Sequence, residues 1–241
     1  MATNKAQRWF ILVITVVMVV GTLGSFLVMI LSTHENQDIA QRYQTADSAY
    51  QKEKAAYQEL VDARDQKLSE KYYPVLKPYA SQAAKYAIDS ISKLSTHDLK
   101  AGTGETIGDE TKFAAYYIGW NPDGKIFDQS IDGDKLKAPL YESKPEQGFT
   151  GFDEGLAKAT VIDGWREGLK GMKIGGVRLL EIPSDKAYGE TGQGDDIPPN
   201  VPLKFIILAI PAPEDVPEPE SLVKAYEAYQ KAMIEYYTQG Q

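Results

Sequence analysis

The chain has 241 residues, a formal net charge of −8 and no cysteine, and these three facts limit what it can be. The length allows one domain of ordinary size together with additional segments. An acidic chain has no general attraction to nucleic-acid phosphates, so we expect no nucleic acid as a partner. The lack of cysteine excludes disulfides, thiolate zinc sites and cysteine nucleophiles. With only His34 and His97, a histidine triad or a multi-histidine metal site is poorly supplied.

The first distinct segment is an apolar run from Trp9 to Leu31 that contains no charged residue. As an α-helix it would be about 34 Å long, which is enough to span the hydrocarbon core of a bilayer. A cleaved signal peptide is the alternative interpretation, but its apolar region is normally shorter and is followed by a small-residue cleavage site. The sequence after Leu31 has no such site, so we predict a single uncleaved transmembrane helix at residues 9–31.

The charges on either side of the apolar run predict its orientation. Lys5 and Arg8 precede the run, whereas Glu35 and Asp38 follow it. The positive-inside rule therefore predicts a cytoplasmic tail at residues 1–8. We expect a single-pass protein of the cell membrane whose remaining chain lies outside the cytoplasm.

A helical stalk is predicted at residues 35–94. Residues 36–72 contain no proline and no glycine and are rich in residues that favour helices. Pro74 and Pro78 interrupt the stretch, because proline cannot continue a helix interior. A second helical piece is predicted from Ser81 to Leu94.

Tyrosines recur every seven residues along the stalk, at Tyr43, Tyr50 and Tyr57. This spacing resembles a heptad seam. One interpretation is a dimerising coiled coil, and the other is a stalk helix or a helix packed on its own neighbour. A stiff linker of prolines and acidic residues is predicted at 211–220. A last helix, of similar composition to the stalk, follows at 221–238.

Residues 97–210 have a different pattern, in which short alternating apolar runs are separated by glycines and turn residues. Strands are predicted at Lys112–Gly119, Ile174–Ile182 and Leu203–Ile210, with Phe113, Ala115 and Tyr117 on one face of the first. Apolar residues at helical spacing predict a short helix that starts at Thr160 or Asp163; they are Ile162, Trp165, Leu169 and Met172. Strands around one short helix make an α+β domain.

Several blocks in residues 99–210 resemble the FKBP-type peptidyl-prolyl cis/trans isomerases in the order of that family. They include Tyr117-Ile118-Gly119, Asp123-Gly124-Lys125-Ile126-Phe127-Asp128, Val161-Ile162-Asp163-Gly164-Trp165, Ala187-Tyr188-Gly189 and Ile197-Pro198-Pro199. Each block alone is weak, but the ordered set is specific. The resemblance implies an antiparallel β-sheet wrapped around one short α-helix, in a membrane-anchored bacterial form of the family. It does not cover the anchor, the stalk or the last helix.

The same resemblance implies a proline-binding pocket with no cofactor and no metal. Its catalytic residues would be Tyr117, Phe127, Asp128, Tyr188 and Ile162, and its substrate-binding residues Val161, Trp165, Ile197, Phe205 and Leu140. The implied partners are proline-containing unfolded or exported polypeptides, and macrolide immunosuppressants as ligands. An apolar pocket suits this reaction, because the barrier to rotation is amide resonance and the twisted amide is less polar than the planar one.

The segment between Ser130 and Val161 is longer than in compact family members. A further pocket wall is expected from residues 139–152, with Leu140, Tyr141, Phe149 and Phe152 as candidates. Lys135 and Lys137 are candidate basic partners of the aspartate. Asp196 stands where the family often has an apolar residue and predicts a preference against acidic substrates. Two functions remain open, a foldase for exported proteins and a catalytically weak FKBP-like chaperone or binding module of the cell envelope.

Overall fold

The computed structural model describes residues 34–239, and these residues divide between two compact units. One unit comprises residues 61–216, and the other contains residues 34–60 and 217–239. The predicted transmembrane helix at 9–31 and its cytoplasmic tail lie outside the described residues. Within residues 34–239, no helix combines the length and the apolar character that crossing a membrane requires.

In the unit of 34–60 and 217–239, two helices pack through tyrosine rings. Helix α1 (His34–Leu76) begins in this unit and ends in the other, and the last helix, α3, spans Glu220–Gln239. The Tyr43 ring stacks on Tyr236 at 5.1 Å, and the Tyr50 ring stacks on Tyr229 at 5.2 Å between centroids. Two of the three tyrosines of the heptad-like pattern, Tyr43 and Tyr50, therefore pack on a neighbouring helix of the same chain, as the second interpretation predicted.

The unit of 61–216 is built on a five-stranded antiparallel sheet of order β1-β6-β7-β2-β3. Its strands are β1 (Ser95–Lys100), β2 (Phe113–Trp120), β3 (Ile126–Gln129), β6 (Val177–Ile182) and β7 (Leu203–Pro211). A small hairpin of β4 (Ile131–Asp132) and β5 (Lys135–Leu136) follows β3. The strands predicted from the sequence are present, with β6 starting three residues later than expected.

Side chains alternate between the two faces of this sheet, and both faces are buried. On the inner face, Phe113 and Ala115 of β2 belong to one apolar cluster with the short helix α2 (Asp163–Leu169). On the outer face, Tyr116 and Ile118 belong to a second cluster. Because successive residues of a strand point to opposite sides, a strand buried on both faces is apolar throughout. This explains the nearly continuous apolar run of β2.

The outer face is covered by the end of α1 and by the chain that follows it. Leu76 is fully buried and Tyr72 nearly so in the second cluster, and the Ser69 hydroxyl accepts a hydrogen bond from the Leu136 N–H at 2.7 Å. Residues 61–94 therefore belong with the sheet, whereas the predicted stalk separated them from the domain at 97–210. Pro74 lies inside the last turns of α1, which ends only at Leu76.

The predicted helix from Ser81 to Leu94 is wrong. The chain forms 3-10 turns at Lys77–Gln82 and Ile88–Ser90, with extended residues between them. The reason is that polar groups of this stretch form hydrogen bonds with the rest of the domain in place of helical hydrogen bonds. The Tyr86 N–H donates to the Pro122 carbonyl at 3.0 Å, and the Tyr86 hydroxyl donates to the Pro202 carbonyl at 2.9 Å.

Helix α2 lies close against the inner face because it carries glycine where it meets the sheet. A Cβ on Gly164 would overlap the side chain of Ile182 on β6. The far end of the helix is held by Arg178, whose guanidinium donates to the Gly168 carbonyl at 2.9 Å and pairs with Asp98 at 2.6 Å. The helix is therefore fixed against the strands that carry the site.

Candidate active site

A cavity of about 620 Å³ opens between α2 and the inner face of the sheet. Strands β2, β3 and β7 supply one side, and α2 with the residues before it supplies another. Its lining residues are Tyr117, Phe127, Asp128, Leu140, Phe149, Lys158, Ala159, Thr160, Val161, Ile162, Trp165, Arg166, Tyr188 and Phe205. A volume of this size is typical of sites for small ligands and peptide side chains.

Four aromatic rings form the deep part of the cavity. The Trp165 ring meets Tyr117 at 5.4 Å and Phe205 at 5.3 Å between centroids, both edge to face. Phe127 meets Phe205 edge to face at 5.6 Å. Edge-to-face pairs of this kind stabilise one another beyond the area they bury. Because each ring is held by the next, the apolar walls are preformed.

The floor of the cavity is the side chain of Trp165, which is only 4% exposed. Phe152 lies parallel to it at 6.5 Å and stacks in turn on Phe113 at 4.4 Å. The indole N–H of Trp165 is buried and has no acceptor among the described residues. The floor is thus supported by the core of the domain and carries one unpaired donor.

A single carboxylate, Asp128, is set into this apolar wall. The Tyr117 hydroxyl donates to its Oδ2 at 2.5 Å, and the Gln129 N–H donates to its Oδ1 at 2.8 Å. Of the two predicted basic partners, Lys137 approaches Asp128 at 3.9 Å, and its Nζ donates to the Gln129 carbonyl at 2.8 Å. No ion pair links Lys135 to Asp128 within the described residues.

Two hydroxyls of the cavity stay protonated at neutral pH. Burial raises the pKa of Tyr117, and the neighbouring Asp128 charge raises it further. Burial also raises the pKa of Tyr188, with a smaller contribution from Asp128. Across the described residues, the Tyr188 hydroxyl makes no hydrogen bond, which leaves it available as a donor to an occupant of the cavity.

A backbone donor faces the same space at the start of α2. Ile162 is the N-cap residue, with extended backbone angles of φ −61° and ψ 152°. Its carbonyl accepts from the Trp165 N–H at 3.0 Å, while its own N–H finds no acceptor in the described part of the chain. Helix N-termini leave such donors unpaired. Ile162 can therefore offer a hydrogen bond to a carbonyl group bound in the cavity.

Residues 139–152 supply the further wall that the sequence could not assign. Leu140 and Phe149 line the cavity. Phe152 is fully buried beneath the floor, and Tyr141 packs against the cluster on the outer face of the sheet. The four aromatic and aliphatic candidates are thus divided among three environments.

The structure brings together every predicted site residue except one. Ile197 is not among the lining residues; it is 4% exposed and packs in the inner core cluster, which also contains Trp165 and Phe205. Its loop is closed by a hydrogen bond from the Gln193 N–H to the Ile197 carbonyl at 2.8 Å. Asp196, its neighbour, pairs with Lys125 at 2.5 Å.

Sequence reasoning missed four lining residues, Lys158, Ala159, Thr160 and Arg166. Lys158, Ala159 and Thr160 form the run directly before Val161, and Arg166 directly follows Trp165, so adjacency along the chain was the available signal. Among residues 34–239, no group of histidine and acidic side chains is placed to hold a metal ion. The chemical groups of the cavity are apolar walls, hydrogen-bond donors, the cations of Lys158 and Arg166, and one carboxylate.

The comparisons with known proteins agree with this geometry. Residues 103–209 match the family described as FKBP-type peptidyl-prolyl cis-trans isomerase. The FK506-binding protein of Neisseria meningitidis serogroup A is 36% identical over 115 residues, which are 48% of this chain and 92% of that protein. The chain belongs to the FKBP-type isomerase family. It is therefore a member of a family of isomerases, with the cavity at the centre of the matched region.

Other FKBP-type relatives extend the match by different amounts. The isomerase Mip of Chlamydia trachomatis is 30% identical over 191 residues, which cover 78% of this chain and 70% of that protein. By contrast, the chain covers only 25% of FK506-binding protein 4 of Rhizopus delemar, at 37% identity over 112 residues, which are 46% of this chain. The chain also matches the crystal structure of a peptidyl-prolyl cis-trans isomerase from Pseudomonas syringae at 31% sequence identity. The match covers 60% of this chain and 96% of that protein, with a TM-score of 0.39.

Proposed function

We propose that this protein accelerates cis/trans isomerisation of X-Pro peptide bonds in unfolded exported polypeptides. The observation that carries the proposal is the preformed box of Tyr117, Phe127, Trp165 and Phe205, with hydrogen-bond donors at its edge. A prolyl ring fits an apolar site of this kind. Membership of the FKBP-type family supports the same reaction.

The proposed mechanism needs no bond to form or break. Rotation about an X-Pro bond is slow because amide resonance opposes it, with a barrier of about 18–20 kcal/mol in a peptide bond. Resonance is lost in the twisted transition state, whose carbonyl is less polar than that of the planar amide. A dry aromatic site disfavours the polar planar form more than the twisted one, and this difference lowers the barrier.

Hydrogen bonds would hold the substrate while the bond turns. In this proposal, the Ile162 N–H and the Tyr188 hydroxyl donate to substrate carbonyls. Asp128, fixed by Tyr117 at 2.5 Å, faces the carbonyl of the rotating bond and orients the wall beside it. A macrolide immunosuppressant would occupy the same aromatic box and compete with the peptide.

We further propose that the enzyme is anchored in the cell membrane by residues 9–31, with the isomerase domain outside the cytoplasm. The uncharged run and the charges on its two sides support this arrangement. Protease added to intact spheroplasts is expected to digest the chain after residue 40. Digestion only after permeabilisation of the membrane would show the opposite orientation.

The isomerase proposal is tested by Phe127→Ala with Ile126→Ala as a matched control. Phe127 is an aromatic wall, whereas Ile126 packs with the cluster on the outer face of the sheet. We expect Phe127→Ala to lower kcat/KM on a proline tetrapeptide at least about ten-fold, which is about 1.4 kcal/mol, and Ile126→Ala to change it less than about two-fold.

Full activity of a folded Phe127→Ala protein would show that the reaction does not use this wall. If the wild-type chain is inactive but suppresses aggregation of an unfolded client, the protein is the binding module of the envelope instead.

A further inference from the structure

Helix α3 carries most of the large apolar side chains that are exposed in residues 34–239. Four of the six belong to it, and they are between 42% and 60% exposed: Val223, Tyr226, Ile234 and Tyr237. A contiguous apolar patch with a polar rim is a usual mark of a protein–protein contact. This side of α3 is therefore a candidate contact surface.

The four side chains form one stripe along the helix, which we call the α3 stripe. Successive residues of an α-helix are rotated by about 100° and rise about 1.5 Å, so the stripe occupies a sector of about 80° and is roughly 21 Å long. Helix α1 packs on a different side of α3, where Tyr229 and Tyr236 stack on its tyrosines. Tyr226 lies at the border of the two sides and also meets Tyr50 at 5.3 Å between ring centroids. The contact with α1 thus holds the helix and leaves the α3 stripe exposed.

The spacing of the α3 stripe is the same in both directions along the chain. Val223 and Tyr237 lie seven residues before and after Gln230, and Tyr226 and Ile234 lie four residues before and after it. Gln230 is exposed and falls in the same sector. A two-fold axis through Gln230 places Val223 opposite Tyr237 of a second copy, and it places Tyr226 opposite Ile234 of that copy. Each pair joins an aliphatic to an aromatic side chain, and the two Gln230 amides can bond to each other, since an amide is both donor and acceptor.

The charges beside the α3 stripe fit the same arrangement. Glu227 and Lys231 lie on the flank that is turned away from α1. Across residues 34–239 neither takes part in an ion pair, whereas Lys224 of the same helix pairs with Glu220 at 2.6 Å. Glu227 lies three residues before the axis, so it meets the point three residues after the axis in the second copy, which is two residues from Lys231. Two reciprocal pairs of opposite charge would therefore form.

These pairs select the antiparallel arrangement over the parallel one. In a parallel pair of helices, the charged flank of one copy would face the α1 side of the other. Glu227 and Lys231 would then have no opposite charge across the contact. The apolar stripe alone allows both directions, and the charges decide between them.

The exposed area indicates a weak and reversible association. A fully enclosed aromatic side chain buries roughly 150–250 Å², so Tyr226 and Tyr237, which are 43% and 60% exposed, offer about 200 Å² between them. The two aliphatic side chains add to this area. Stable complexes bury about 800 Å² on each partner, and the α3 stripe supplies only part of that.

We propose that the α3 stripe is a self-association surface, on which α3 of a second copy of this chain packs antiparallel about Gln230. The stripe belongs to the unit of residues 34–60 and 217–239, whereas the cavity belongs to the unit of residues 61–216. The pairing therefore does not depend on the isomerase function and is tested separately from it.

The first test is cross-linking of the full-length chain in detergent micelles, and it uses the lack of native cysteine. Val223→Cys and Tyr237→Cys proteins with tags of different size are mixed and treated with a mild oxidant. We expect the mixed disulfide to form at least about five-fold faster than the Val223→Cys homodimer, because Cα atoms more than about 7 Å apart cannot be bridged. Ala228→Cys, on another exposed side of α3, is the control and should cross-link as slowly as Val223→Cys alone.

The second test measures the dissociation constant of the pair by sedimentation in density-matched detergent. Ile234→Glu should raise it at least about ten-fold, since the new charge would have to lose its water in an apolar contact. Glu227→Lys should also weaken the pair, and adding Lys231→Glu should restore it, because the exchange recreates both opposite-charge pairs. Helix content and kcat/KM should stay unchanged in all three variants.

Several results would overturn the proposal. A Val223→Cys homodimer that forms faster than the mixed disulfide would show parallel pairing, and equal rates for Ala228→Cys would show contact without a specific surface. A wild type that is monomeric throughout the micromolar range would refute self-association. If Ile234→Glu instead loses the ability to suppress aggregation of an unfolded client while the wild type stays monomeric, the α3 stripe binds clients and not a second copy.

Discussion

Leu76→Ala tests whether the end of α1 is part of the isomerase domain. Leu76 is fully buried on the outer face of the sheet. The substitution removes three carbons, worth about 0.8 kcal/mol each in transfer free energy, and leaves a cavity that adds to the loss. We expect a fall of about 3 kcal/mol in the free energy of unfolding. For a unit of this size, that lowers Tm by roughly 6–12 °C.

The assay is thermal unfolding of residues 34–239, with Leu60→Ala as the matched control. Leu60 lies on the same helix but is 53% exposed, so its truncation should cost less than about 0.5 kcal/mol. Isomerase activity below the transition should survive in Leu76→Ala, because this side chain and the cavity lie on opposite faces of the sheet. Equal Tm values for the two variants would refute the packing of α1 on the sheet.

Three further changes test the site and its supports. Tyr188→Phe should lower kcat/KM a few-fold, since one neutral hydrogen bond is worth about 0.5–1.5 kcal/mol. Gly151→Ala should lower the Tm of the protein, measured by thermal unfolding, because a Cβ at residue 151 would overlap the Tyr141 carbonyl oxygen and force the backbone to shift. The hydrogen bond from Arg178 lowers the pKa of Asp98 in the folded protein. The pair therefore stabilises the fold at pH values above the unfolded-state pKa of about 3.9, and this stabilisation is lost as the pH falls through the lower pKa of the folded state. Asp98→Asn should therefore destabilise the protein by roughly 1 kcal/mol at pH 7 and have little effect near pH 2, as urea titrations at the two pH values will show.

The sequence pattern was sufficient for the strands and the short helix of the domain, because their side-chain periods are set by burial. Phe113 and Ala115 lie on one face of β2, and Tyr116 and Ile118 lie on the other, as two buried faces require. What the pattern did not show was the partner of the second face. An apolar residue such as Leu76 gives the same sequence pattern in an isolated stalk helix as in a helix that packs on a sheet.

Local propensity also failed where distant groups supplied the hydrogen bonds. Residues 81–94 favour a helix by composition, yet Tyr86 bonds to Pro122 and Pro202, which are far away in sequence. The same applies to the cavity wall. Leu140, Phe149 and Phe152 have similar chemistry, and their places follow from backbone pairing such as that of Leu140 with Ala115, which local sequence does not show.

Ile197 shows what a motif leaves open. Its block, Ile197-Pro198-Pro199, resembles the family in sequence, and its side chain is buried in the cluster that also contains Trp165 and Phe205. It is not among the residues that line the cavity, and a motif does not specify the direction of a side chain.

The measurement that tests the central claim most directly is the rate of cis-to-trans isomerisation of a proline tetrapeptide by the wild-type protein from pH 6 to 8. Burial keeps the Tyr117 and Tyr188 hydroxyls protonated throughout this range, and the proposed mechanism uses no group that must gain or lose a proton. We predict a rate above the uncatalysed one that rises in proportion to protein concentration and is nearly independent of pH. A bell-shaped pH profile, or a rate equal to that of the peptide alone, would contradict catalysis by a dry apolar pocket.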